Sequence, residues 1–191
     1  MGEDDLMIDP WSSAQSTDYS RIIEQFGLSP MDGLDIPKPS RLHRRGIIFA
    51  HRDLDTVLQA NSRGEDFGVL TGLMPSGKMH LGHSMVIEQV KWFQKMGGDV
   101  TIAVADLESQ ATRGISLAKG REVALKEYVA NYAALGLDSE KSQVYFQSTR
   151  SEVQRLGFQL GKRTNLNEFV SIYGFGGETN LAHVQAPMVQ V

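Results

Sequence analysis

The sequence contains no cysteine, which excludes disulfides, thiolate metal ligands and a cysteine nucleophile. It has no apolar run near the ~18 residues that a membrane span requires. Its N-terminus, Met1-Gly-Glu-Asp-Asp5, is acidic and lacks the apolar stretch of a secretory signal. Positive charge is in short supply. Lys and Arg number 19 against 23 Asp and Glu, a net charge of -4, so no global basic field gathers nucleic acid. Proline is scarce beyond residue 40, because Pro10, Pro30, Pro37 and Pro39 are four of the six. No internal repeat and no low-complexity tract occurs. What is present is 191 residues, 41% hydrophobic, enough for about one domain with a proper core. The expectation is a soluble, cytoplasmic α/β protein with no membrane contact.

Residues 18–26 carry Tyr19, Ile22, Ile23 and Phe26 at helical spacing. A basic cluster, Arg41, His43, Arg44 and Arg45, precedes the apolar run 46–50, and Asp53 is placed to cap a helix that ends near Gly64. The pattern then becomes regular. Residues 67–71 read as a buried strand, 72–82 as a loop, and Val86, Ile87, Val90 and Phe93 as one face of a helix stopped by Gly97-Gly98. A second strand at 100–105 leads to a helical stripe of Leu125, Tyr128, Val129 and Tyr132, ended by Gly136, and to a third strand at 143–147. Strand, helix, strand, helix, strand predicts a Rossmann-like parallel sheet with right-handed crossovers, the first half of a doubly wound α/β fold. Residues 151–191 read as helices and loops, and the last three, Val189-Gln-Val191, carry no cap, as in a chain cut short. The predicted division is an irregular, partly helical N-terminal extension over 1–64 and a partial Rossmann domain over 65–191.

Chemistry concentrates between the first sheet strand and its helix, in Leu70-Thr-Gly-Leu-Met-Pro-Ser-Gly-Lys-Met-His-Leu-Gly-His83. Gly72 to Lys78 has the G-x-x-x-x-G-K spacing of a phosphate loop. Met79 stands where that loop needs a hydroxyl for magnesium, and Pro75 withholds a backbone N–H, so the chemistry does not match. His80-Leu-Gly-His83 offers a different device. Two imidazoles near the positive end of a helix suit a triphosphate in its transition state, with Gly82 removing a Cβ that would block close approach. A zinc pair is the competing use. It needs a third protein ligand, and His43, His51 and His183 lie at no suggestive spacing, so no metal site is expected.

Pro75-Ser-Gly-Lys-Met-His-Leu-Gly-His83 resembles the first signature of class I aminoacyl-tRNA synthetases, within them the tryptophanyl and tyrosyl pair. Ile8-Asp-Pro-Trp11, the stretch Arg44 to Asp53, Ile172-Tyr-Gly-Phe175 and Pro187-Met-Val-Gln190 resemble the archaeal/eukaryotic type of tryptophanyl-tRNA synthetase. The resemblance implies activation of tryptophan by ATP with Mg2+, ligation to tRNA(Trp), and a homodimer. Residue by residue it implies catalytic His80 and His83, an ATP-side loop of Thr71, Gly72, Pro75, Ser76, Gly77 and Gly82, and amino-acid contacts at Leu70, Ala103, Glu108 and Gln190. Glu108 would hold the α-ammonium. Leu70 and Ala103 stand where relatives carry a tyrosine and a glutamine, which leaves the side-chain pocket with fewer hydrogen-bonding groups.

The family's second signature, a Lys-Met-Ser-Lys-like loop, does not occur in this sequence, so the expectation is at best feeble activation by these 191 residues and no selection of tRNA by its anticodon. A tyrosyl-tRNA synthetase-like enzyme, another nucleotidyltransferase of H-x-G-H type, and a non-catalytic amino-acid-binding paralogue remain open. The Arg41, Arg44, Arg45, Arg52 cluster could touch an acceptor stem, or serve as solvated surface.

Overall fold

The computed structural model describes residues Tyr19–Val189. The Ile8–Trp11 stretch and Gln190 therefore lie outside the described residues. The N-terminal part opens with a helix, α1 (Tyr19–Gln25), followed by β1 (Ser29–Pro30), α2 (Arg41–Arg44), β2 (Ala50–His51) and α3 (Leu54–Ser62). β1 and β2 pair antiparallel. Asp53 stands at the α3 N-terminus but does not cap it with its side chain. It sits in the left-handed region at φ 55°, while His51 Nδ1 accepts the Leu54 N–H at 3.2 Å.

Three strands follow: β3 (Gly68–Leu73), β4 (Asp99–Val104) and β5 (Ser142–Phe146), all parallel in the order β3-β4-β5. β3 runs two residues beyond its predicted end because Gly72 and Leu73 pair with Ala103 and Val104. The loop after it is correspondingly short, and α4 (Leu81–Lys95) begins at Leu81, which puts Gly82 inside the helix. Register assigns the faces. Val69, Thr71 and Leu73 share one with Val100, Ile102 and Val104, and Leu70 and Gly72 share the other with Thr101, Ala103 and Tyr145. The first face is the core side, where Leu73, Val100 and Ile102 meet Ile87 and Val90 of α4 and Tyr128 and Tyr132.

α4 is turned slightly from the expected stripe. Ile87 and Val90 are buried and Val86 is 41% exposed, while Trp92 and Gln94 are buried instead. Both polar cases are satisfied. Trp92 Nε1 donates to the carbonyls of Pro37 and Lys38, and the Gln94 amide bonds Asp138, Lys141 and Ser142. His43 packs against Trp92, with centroids 4.5 Å apart and the rings tilted by 53°, which ties the N-terminal part to the last turn of α4. Gly97 ends that helix at φ 103°, a conformation open to glycine at little cost.

After β4 come α5 (Asp106–Arg113) and α6 (Leu117–Val123), which continues through a π-helical turn (Ala124–Val129) into α7 (Ala130–Ala134). That turn corrects the predicted stripe. Leu125 is 48% exposed, and the buried positions are Gly120, Ala124, Tyr128 and Tyr132. Beyond β5, α8 (Ser151–Leu160), α9 (Leu166–Tyr173) and α10 (Leu181–Gln185) follow with no further strand among the described residues. No helix there is long and apolar enough to cross a membrane.

Candidate active site

β3 delivers the segment Met74–His80 to the carboxyl edge of the sheet, where open α/β sheets bind ligands. The first half of that segment is anchored. Pro75 is fully buried, and the buried Ser109 of α5 donates its hydroxyl to the Pro75 carbonyl at 3.2 Å. Thr112, one turn on, reaches Met74 Sδ at 3.6 Å. Ser76, Gly77 and Lys78 are exposed, and the space that a Cβ on Gly77 would fill is open. A ligand therefore has room to approach the backbone there. Met79 packs against the core cluster, so nothing resembling the hydroxyl of a phosphate loop follows Lys78.

His80 is the N-cap of α4, and His83 is three residues into it. His80 Nδ1 accepts the Gly82 N–H at 3.2 Å, and His83 Nδ1 accepts the His80 N–H at 3.3 Å. A ring nitrogen that accepts carries no proton, so each neutral imidazole carries its proton on Nε2. The two rings lie 3.9 Å apart. The cap thus does two jobs: it satisfies two orphan helix N–H groups and presets both histidines as Nε2–H donors. A Cβ on residue 82 would stand 3.1 Å from the His80 ring. What glycine permits here is the folding of His80 over the helix start, rather than the approach of a ligand.

Burial first, and the neighbouring His80 second, hold the His83 imidazole below its ordinary 6.5; burial does the same for His43. A histidine harder to protonate in the folded state means that the unfolded chain binds more protons below about 6.5. Stability is therefore complete above that pH and falls as pH drops through the window below it. Urea midpoints measured from pH 7.5 to 5 are expected to fall in the wild type and to fall less in H83Q, and an unchanged slope in the variant would exclude this source.

Leu70 and Ala103 lie on the same sheet face of adjacent strands, Leu70 opposite Thr101 and Ala103 opposite Gly72. Ala103 is buried, whereas Leu70 is 57% exposed. Glu108 is half-buried in the first turn of α5, with Asp106 and Ser109 buried beside it in sequence. The structure thus gathers the histidine pair and the loop at one edge and sets Leu70 and Ala103 on one face.

Two residues matter more than their sequence context suggests. Asp106 is buried, and its carboxylate accepts the Ser148 N–H at 3.0 Å and the Ser148 hydroxyl. It joins the ends of β4 and β5. Tyr128 stands edge-to-face with His83, centroids 5.3 Å apart at 87°. No local signal announces either contact, because each spans more than forty residues. The basic cluster is partly spent internally, with Arg41 paired to Glu88 at 2.9 Å, Arg44 donating to the Pro39 carbonyl and Arg52 to that of Phe26. A cavity of about 980 Å3 bordered by Leu107, Gln110, Phe158 and Met188 is lined by none of the predicted site residues that lie among the described residues.

Residues 62–190 match the family model of the class I tRNA synthetases (W and Y). The chain belongs to this family. Within it, the chain is 49% identical over 184 residues to the tryptophan–tRNA ligase of Thermoplasma acidophilum, covering 96% of this chain and 42% of that protein. To the tryptophan–tRNA ligase of Methanocaldococcus jannaschii it is 45% identical over 188 residues, covering 97% and 51%. The crystal structure of tryptophanyl-tRNA synthetase from Aeropyrum pernix K1 matches with a TM-score of 0.82 at 39% identity, over 96% of this chain and 51% of that one. The three-stranded parallel sheet is accordingly the Rossmann-like sheet of this class. The chain spans about half the length of the curated relatives it matches.

Proposed function

We propose that this chain carries the H-x-G-H half of the active site of a tryptophan–tRNA ligase, which activates tryptophan with ATP and passes it to tRNA(Trp). The observation that carries the reading is the histidine pair at the start of α4, both rings set as Nε2–H donors at the carboxyl edge of the sheet. The names of its relatives support the choice of amino acid. Residues 1–64 then form the extension and 65–191 the first half of the catalytic domain, a division supported by the family match beginning at residue 62.

In activation, a tryptophan carboxylate oxygen attacks the α-phosphorus of ATP, a new P–O bond forms in line with the bond to pyrophosphate, and that bond breaks. No proton moves. Catalysis is positioning and the stabilisation of charge on phosphate oxygens. His80 and His83 donate Nε2–H to those oxygens, aided by the positive end of the fifteen-residue α4. Thr71, Gly72, Pro75, Ser76, Gly77 and Gly82 shape the ATP side. Magnesium supplies charge neutralisation on the phosphates and travels with the nucleotide. The Glu108 carboxylate takes the substrate ammonium, and Gln190 the same end of the amino acid. Leu70 and Ala103 border the side chain and select by shape, having no hydrogen-bonding group. The enzyme serves protein synthesis in the cytoplasm.

Amino-acid-dependent ATP–pyrophosphate exchange, run with each of the twenty amino acids, tests the reading. Exchange is expected with tryptophan alone. Exchange with tyrosine would move the assignment to the tyrosyl enzymes, and absence of both exchange and ATP binding would favour a non-catalytic paralogue.

A homodimer completes the proposal. Its support is the apolar surface of α8 and α9, where Leu156, Phe158, Leu166, Val170 and Ile172 are exposed, Phe158 by 87%. Phe158→Glu is expected to shift the sedimentation coefficient from dimer to monomer with unchanged circular dichroism. A wild type that sediments as a monomer at high micromolar concentration would refute it.

A further inference from the structure

The helical run from Leu117 to Ala134 departs from α-helical geometry next to the candidate site. Its buried positions, Gly120, Ala124, Tyr128 and Tyr132, recur every four residues. On an α-helix a four-residue step overshoots the 3.6-residue turn by about 40°, so such a series winds away from the surface it faces. The π-helical turn Ala124–Val129 is wider and takes that drift back. Two tyrosines enter the core on that stripe, and the hydroxyl of each is buried with no hydrogen-bond partner among the described residues. Phenylalanine would fill the same space without burying an unpaired polar atom.

What the arrangement achieves is a contact with His83. The Tyr128 ring meets the imidazole edge-to-face, with centroids 5.3 Å apart, and Tyr132 lies on the far side of Tyr128, with centroids 6.4 Å apart. His80 is the other ring on His83, at 3.9 Å. Edge-to-face pairs are directional, so a rigid aromatic neighbour fixes the plane of the ring that it touches. For His83 the plane decides the chemistry. Turning the ring about its axis would withdraw Nδ1 from the His80 N–H and release the proton from Nε2.

We propose that Tyr128 is a positioning residue for His83: its ring, brought inward by the π-helical turn, holds the imidazole in the plane that keeps Nδ1 on the His80 amide and the proton on Nε2. The use of that donor on phosphate rests on the function proposed above; the positioning itself does not. Tyr132 is the internal control, equally buried but with His83 beyond Tyr128.

Nitrogen NMR of 15N-histidine-labelled chain reads the tautomer directly. Wild type and Tyr128→Phe are expected to show His83 wholly as the Nε2–H form. Tyr128→Leu and Tyr128→Met, which keep apolar volume without a rigid ring, are expected to show a mixture with Nδ1–H. Tyr132→Leu is expected to lower stability while leaving the His83 tautomer unchanged. The proposal is overturned if wild-type His83 is the Nδ1–H form, if both ring-less variants at 128 keep the wild-type signal, or if Tyr132→Leu moves it as far. A chain that shows the expected tautomers but binds no ATP would sink the functional reading and leave the positioning role standing.

Discussion

On the proposed function, His80→Ala is expected to lower tryptophan-dependent ATP–pyrophosphate exchange by about 10²–10³-fold, equivalent to about 2.7–4 kcal/mol of transition-state stabilisation, the loss for one preorganised donor aimed at developing charge. Tryptophan affinity is expected to change little, because the proposal assigns the substrate's ammonium and ring to other residues. His83→Ala gives a loss of similar size. The double variant falls short of the product of the two, because the residues form one unit. The His80 amide positions the His83 ring, the rings touch at 3.9 Å, and removing either loosens the other. A product of single losses in the double variant would mean that each histidine acts alone. A loss confined to KM for tryptophan would place the pair at the wrong end of the substrate.

Asp106→Ala costs about 2–4 kcal/mol of stability, read as a lower urea midpoint, and lowers exchange as well. The carboxylate is buried and accepts two bonds from Ser148, whose partners would be left unsatisfied by alanine. Those bonds hold the ends of β4 and β5 together at the start of α5. That helix carries Glu108, and its Ser109 and Thr112 hold Pro75 and Met74 in place. Loosening it is therefore expected to reach both the proposed ammonium contact and the proposed ATP-side loop. Asp106→Asn keeps an acceptor for the Ser148 N–H and is expected to cost about half as much. An alanine variant with the wild-type midpoint would show that Asp106 is a spacer and no more.

How legible these features were depended on the range of the interactions that make them. The strand-loop-helix unit around residues 68–95 was readable because its signals are local: a short apolar run, a loop with Pro75 and Gly77, and a helical period ended by glycine. Asp53 misled because aspartate at a helix start ordinarily caps with its side chain from an extended backbone, and here Asp53 sits in the left-handed region at φ 55° and makes no side-chain cap bond. Leu125 misled because a 3.6-residue period assumes an α-helix, and the π-helical turn moves the buried stripe from Leu125 onto Ala124 while keeping Tyr128 and Tyr132 in it. Gln94 reads as a solvent residue on any hydropathy scale. It is buried because carbonyls from 138 and 141 converge on its amide.

By itself the sequence determined the chemistry on offer: no thiol in these 191 residues, no apolar run long enough for a membrane helix, two histidines spaced to share a helix start, and a carboxylate after the second strand. Spacing along one turn is a covalent fact, so the H-x-G-H pair cannot help but meet. Only the tertiary structure decided what those groups become. Register between strands put Leu70 and Ala103 on one face, a residue forty-two positions away buried the Asp106 carboxylate, and a ring from the π-helical turn came to rest on His83. Those outcomes depend on which surfaces pack together, and packing is settled by burial over the whole chain rather than by any window of it.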